Sequence, residues 1–189
     1  MGLLRDLVRD AFELARAMRP QTEREAPATA QDAARAAASQ DGYKVLFTVR
    51  VREAARRWHI PGVNHFMRLT ATALYGIEIG NGVRLGQGVN FAHTLGTVIG
   101  GDAQVGARVK FLGNNTVGTA KENGCPIIED DVIVGCGARV LGPIRIGARA
   151  IIGANAVVLE DVAPDTIVTG IPAKPHGPAK DKRRVKEAN

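Results

Sequence analysis

His93 is the one histidine inside a long stretch of six-residue periodicity, and it falls where that periodicity breaks. An imidazole titrates near neutral pH, so it can take a proton from a hydroxyl as that oxygen attacks a carbonyl. Glu78 stands fifteen residues earlier, close to one coil of about eighteen residues, so adjacent coils can bring the two together. A carboxylate there would hold the imidazole tautomer and stabilise the imidazolium. The plainer alternatives are a structural histidine and an exposed carboxylate at the entrance to the periodic stretch. The two cysteines, Cys125 and Cys136, are the other candidate nucleophiles.

The periodic stretch must position these groups. An aliphatic or aromatic residue returns every six places at Ile79, Leu85 and Phe91, again at Ile99, Val105, Phe111 and Val117, and again at Ile128, Val134, Val140, Ile146, Ile152 and Val158. A second small or aliphatic series lies four places later, through Val83, Val89, Leu95, Ala103, Val109, Val132, Ala138, Ile144, Ala150 and Ala156. This period is neither helical nor that of a flat alternating strand. It predicts a solenoid of short parallel strands, three to a coil, with Gly, Asn and Asp at the corners, as in Gly80-Asn81-Gly82, Gly101-Asp102 and Ala154-Asn155. Two irregularities stand out. A two-residue insertion before Ile99 puts His93 at an uneven corner. The step of eleven from Val117 to Ile128 requires Gly118 to Pro126 to leave the solenoid as a loop, a usual place for a binding site.

Upstream, Leu3, Leu4, Leu7, Val8, Ala11, Leu14, Ala15 and Met18 predict an amphipathic helix over 2–18, packed on its own chain or on a partner subunit, with a peripheral membrane contact as the alternative. Residues 20–42 read as a linker with a short Ala-rich helix at 29–38. Helices are expected at 44–58 and 63–75, separated by Ile60-Pro61-Gly62. The chain thus divides into an N-terminal helical region, 1–75, a solenoid domain, 76–175, and a basic, disordered tail, 176–189, reached through an extended Pro172, Pro175, Pro178 exit.

Composition narrows the function. The 189 residues carry a net charge of +6, with an excess of +4 in 1–75, −1 in 76–175 and +3 in 176–189. No stacking aromatics accompany the basic tail, which argues against nucleic acid and for a solvated segment near a phosphorylated ligand. No apolar run is long enough to span a membrane and no signal-peptide pattern is present, so the chain reads as cytoplasmic. Two cysteines make no disulfide framework.

The solenoid resembles the left-handed parallel β-helix of hexapeptide-repeat acyltransferases. Within them it is most similar to serine acetyltransferases, through Gly76-Ile77-Glu78-Ile79, residues 92–100 (AHTLGTVIG), Gly135-Cys136-Gly137-Ala138 and residues 170–175 (GIPAKP). The match covers about residues 45 to 175. The resemblance implies a mainly β fold, direct transfer from acetyl-CoA to an acceptor hydroxyl without an acyl-enzyme, no metal, and a homotrimer with sites between subunits. It makes His93 the general base and places Glu78 where the family carries an aspartate. It assigns Gly118, Cys136, Ala154 and Lys174 to the cofactor, with small side chains along the pantetheine arm.

The departures concern the acceptor. The family's aspartate before the catalytic histidine is Ala92 here, and its arginine–histidine pair before the loop's proline is Gly124 and Cys125. Replacement groups could come from Asn114, Asn115, Lys121 or Glu122, or from a neighbouring subunit. The acceptor is accordingly expected to be a sugar or modified amino acid rather than free L-serine, with ordinary L-serine O-acetylation as the alternative. A zinc-dependent carbonic anhydrase on this solenoid needs three histidine ligands, and the coils hold only His93. A non-enzymatic assembly subunit built on the same solenoid is the other alternative, and His93 and Glu78 argue against it.

Overall fold

The computed structural model describes residues 2–19, 26–120 and 124–179. Four helices come first: α1 (Leu3–Met18), α2 (Ala30–Ser39), α3 (Asp41–Arg57) and α4 (Val63–Tyr75). The Ala-rich helix expected at 29–38 within the linker is α2, and residues 20–25 of that linker lie outside the described residues. Thr29 caps α2: its hydroxyl accepts from the Asp32 N–H, and the Asp32 carboxylate accepts from the Thr29 N–H.

The solenoid follows in coils of three strands. The first holds β1 (Glu78–Ile79), β2 (Arg84–Leu85) and β3 (Asn90–Phe91); the second, β4 (Val98–Ile99), β5 (Gln104–Val105) and β6 (Lys110–Phe111). The third holds β7 (Thr116–Gly118), β8 (Ile127–Ile128) and β9 (Ile133–Val134); the fourth, β10 (Arg139–Leu141), β11 (Arg145–Ile146) and β12 (Ile151–Ile152). A last partial coil contributes β13 (Val157–Val158) and β14 (Thr166–Thr169), and β15 (Lys174–Pro178) turns back antiparallel on β14. The expected extended exit is thus a strand that covers the open edge of the third sheet.

Strands stack into three parallel sheets. The first runs β1-β4-β7-β10-β13, the second β2-β5-β8-β11, the third β3-β6-β9-β12-β14-β15. All thirteen residues of the six-place series are buried, each the inward residue of its strand. Full burial of such side chains contributes roughly 1.5–3 kcal/mol each. Phe91 and Phe111 stack in successive coils with ring centres 5.4 Å apart. Glycine after the inward residue reflects the approach of the next coil: a Cβ at Gly106 would lie 2.7 Å from the Asp130 nitrogen. Leu95 breaks the second series. It is 72% exposed, and Thr97, fully buried, takes the interior place because the insertion lengthens this corner by two residues.

The helical region closes the first coil. N–H groups of each coil donate to carbonyls of the next, as Glu78 does to Thr97 and Gly80 to Ile99, so the first coil's own carbonyls face outward with no coil before them. Two arginines of α3 fill that edge. Arg50 donates to the Leu85 and Gly86 carbonyls, and Arg52 to those of Ile79 and Gly80. Arg50 is held by buried Asp10 of α1 at 2.8 Å, and Asp10 also accepts from the Gly88 N–H. One face of the predicted amphipathic helix thus packs on its own chain, although Leu4 and Val8 remain exposed.

Candidate functional site

His93 lies just after β3, at the corner where the third sheet passes to the first, and its side chain is exposed. The next coil supplies its floor. Gly113 has φ +109°, and a Cβ there would stand 2.9 Å from the His93 Cβ and 3.3 Å from its carbonyl oxygen. Only glycine allows both the backbone conformation and the approach.

The same corner recurs in each coil. Gly96 donates to the Gly76 carbonyl, Asn114 to Leu95, Gly137 to Gly113 and Asn155 to Cys136. Gly113, Cys136 and Ala154 therefore form one column rising from His93 at about 4.8 Å per coil. Cys136 and Ala154 are exposed and small, which leaves the corner backbone approachable from solvent. Lys174 belongs to the cap above this column: it pairs with Thr169, whose side chain lies over Gly153. Gly118 stands apart. It ends β7 at the far corner of the first sheet, four residues beyond Asn114 or about 13 Å of extended chain. The structure thus gathers His93, Cys136, Ala154 and Lys174 along one edge and leaves Gly118 on another.

Glu78 points outward from β1 and pairs with Arg68 of α4 at 3.5 Å. Its N–H donates to Thr97, which ends the His93 corner, but among the described residues no hydrogen bond joins it to His93. Cys125 is half-buried against the core beneath Gly101, away from the His93 corner. Of the replacement acceptor groups, Asn114 is exposed beside Gly96, whereas Asn115 is fully buried with both ends of its amide engaged. Asn115 cannot face an acceptor. Lys121 and Glu122 lie outside the described residues. Sequence reasoning missed Arg139, on the outer face of β10, whose Nη1 donates to the Asn114 carbonyl. Its only signal was a basic residue at an outward strand position.

The bacterial transferase hexapeptide (six repeats) family matches residues 125–160. A serine acetyltransferase of Synechococcus elongatus is 39% identical over 136 residues, covering 70% of this chain and 56% of that protein. A serine acetyltransferase structure from Neisseria gonorrhoeae superimposes with a TM-score of 0.80 at 26% identity, over 99% of this chain and 71% of that one. The chain is similar to the serine acetyltransferase family in sequence and fold. Its solenoid is the left-handed β-helix of that family, with the helical segment before it. A second Neisseria gonorrhoeae serine acetyltransferase structure, in complex with serine, is 29% identical with a TM-score of 0.75, covering 93% of this chain and 69% of that one. The chain spans about half the length of the curated family members it matches. No helix among the described residues is long and apolar enough to cross a membrane.

Proposed function

We propose that the protein is an acetyl-CoA-dependent O-acetyltransferase of serine acetyltransferase type. The observation that carries this reading is the column on which exposed His93 stands in line with the small, accessible Cys136 and Ala154. The pantetheine arm would lie along that column, with its thioester at the His93 corner and its phosphates toward Lys174. The His93 imidazole takes the hydroxyl proton of the acceptor as that oxygen attacks the thioester carbonyl. The tetrahedral adduct then collapses to the ester, CoA leaves as its thiolate, and the proton on His93 is returned to it. Glu78 stabilises the imidazolium once it turns from Arg68. No cysteine is needed as a nucleophile.

The working form is a homotrimer in the cytoplasm. Phe66, Leu69 and Leu74 of α4, with Leu95 beside His93, leave an exposed apolar surface that a second copy would cover. Gly118 and the 118–126 loop are assigned to a neighbouring subunit's cofactor. The two free cysteines suit a reducing compartment.

Release of free CoA, measured across a panel of hydroxyl acceptors, tests this. His93→Ala should lower turnover by roughly 10²–10⁴ with acetyl-CoA affinity nearly unchanged, while Cys125→Ser and Cys136→Ala retain most activity. Full turnover in His93→Ala, or an on-pathway acetyl-cysteine, overturns the mechanism. No CoA release with any acceptor, from a trimeric folded protein, favours the assembly-subunit reading.

A further inference from the structure

Among the described residues of the solenoid, the buried polar side chains are Thr94, Thr97 and Asn115, and all three lie at the corner carrying His93 or directly beneath it. Elsewhere the interior corner places are apolar: Val83, Val89, Ala103, Val109, Val132, Ala138, Ile144, Ala150 and Ala156. A buried amide is destabilising unless its hydrogen bonds are met, and a valine would fill the same place without that demand. Asn115 therefore has a use other than packing.

Its bonds indicate that use. The Asn115 Oδ1 accepts from the Gly113 N–H at 3.0 Å, and its Nδ2 donates to the Gly135 carbonyl at 2.6 Å. Its own N–H reaches the Thr97 hydroxyl at 3.5 Å. Gly113 is the floor under His93, Gly135 precedes Cys136, and Thr97 closes the His93 corner. The Asn115 side chain thus ties two successive coils together, and its backbone N–H reaches back to Thr97 at the corner that carries His93. The insertion that pushes Leu95 outward leaves that corner without its usual apolar anchor, and this network replaces it.

We infer that Asn115 is a positioning residue for His93: it fixes Gly113, and through it the place of the imidazole relative to the column of Cys136 and Ala154. This rests on the reading of His93 as the general base, but its physical content is separable from catalysis.

The test is Asn115→Val in the full chain, with two readouts. The first is NMR titration of the labelled imidazoles, with the His93 signal identified by its loss in His93→Ala. Asn115→Val should move the His93 resonances while those of His59, His65 and His176 stay in place. The second is kinetics: turnover should fall about 10-fold or more, with the KM for acetyl-CoA changed less than 3-fold. Asn115→Ser, which keeps a hydroxyl able to meet one of the two partners, should recover part of both. If Asn115→Val does not fold, Gly113→Ala, which presses a methyl group against His93, should give the same pair of changes. Unmoved His93 resonances in whichever of these two variants folds overturn the inference. Moved resonances with unchanged turnover, alongside an active His93→Ala, overturn the general-base reading and leave the positioning contact standing.

Discussion

Arg108 and Asp131 join successive coils through two parallel hydrogen bonds of 2.7 Å, and both residues hold left-handed backbone, at φ 55° and 61°. They belong to the corner between the second and third sheets, where Arg149 and Asp165 repeat the arrangement two coils further on, at φ 59° and 55°. Left-handed backbone at an L-residue is unfavourable by about 1–2 kcal/mol. The stacked charges offset part of that cost.

Strain and charge at this corner can be separated. Arg108→Ala keeps the strain and loses the pair, which for a half-exposed bidentate contact is worth no more than about 1 kcal/mol, so Tm should fall by ~2–4 °C. Arg108→Gly loses the pair and the strain together and should melt within ~2 °C of the parent protein. The Arg108→Ala deficit should shrink in 1 M salt. Equal losses for Ala and Gly in thermal melts would show that strain plays no part.

Acid should destabilise the protein through named carboxylates. The Thr29 backbone N–H and hydroxyl, with Arg19, hold Asp32 down to about 2. The Ala148 N–H and Arg145 lower Glu129, and Arg149 lowers Asp165. Each folded value lies below the unfolded one, so the contribution is fully present above the ordinary carboxylate range and is lost as pH falls through the folded values. Urea midpoints should therefore be flat in this respect from pH 7 to about 5 and decline toward pH 2. Asp32→Asn should flatten the lowest part of that slope, and an unchanged slope would refute the assignment.

The buried ion pair should matter more than any surface pair. Asp10→Ala leaves buried Arg50 with only the half-exposed Glu53, at 3.2 Å, as its carboxylate, a loss at or below the roughly 3–5 kcal/mol of a broken buried pair. Because Arg50 holds α3 on the first coil, helical circular dichroism should be lost at urea concentrations that leave the solenoid intact. Coincident loss of both signals with a small shift would count against this.

Glu78 should contribute less to turnover than His93. It is exposed and paired with Arg68 at 3.5 Å, so Glu78→Gln should cost about 10-fold, against the 10²–10⁴ for general-base loss. Arg68→Ala frees the carboxylate and should leave turnover equal or higher. A Glu78→Gln loss as large as that of His93→Ala would place the carboxylate in direct contact with the imidazole.

L-serine should be a poor acceptor. Its ammonium and carboxylate need fixed counter-charges when desolvated, and Ala92, Gly124 and half-buried Cys125 provide none. Arg139, a cation near the corner, has its Nη1 engaged on the Asn114 carbonyl. Steady-state kinetics should show a weak or absent reaction with L-serine and a better one with a sugar or modified amino acid. A low-millimolar or tighter KM with turnover of tens per second, in the ordinary enzyme range, would reverse this.

By itself the sequence determined the coil. A six-residue period calls for short strands that turn a corner every six residues, and Ile79 through Val158 fell inward because each inward place repeats with the strand; the left-handed winding came from the family resemblance. It also marked the His93 corner, since an insertion interrupts the period there, and it placed α4 to the residue. What only the tertiary structure decided lies between coils. Leu95 turned outward and Thr97 inward because the lengthened corner must rejoin the stack at Ile99. Asn115 proved to be interior rather than an acceptor group because its neighbours Gly113 and Gly135 come from chain segments set by the stacking register. The Ala-rich helix expected at 29–38 is α2, whereas α3 starts at Asp41 rather than 44 and is fixed in place because Arg50 and Arg52 lie across the first coil's open carbonyls. That requirement belongs to an edge, and no local pattern of residues records where an edge will be.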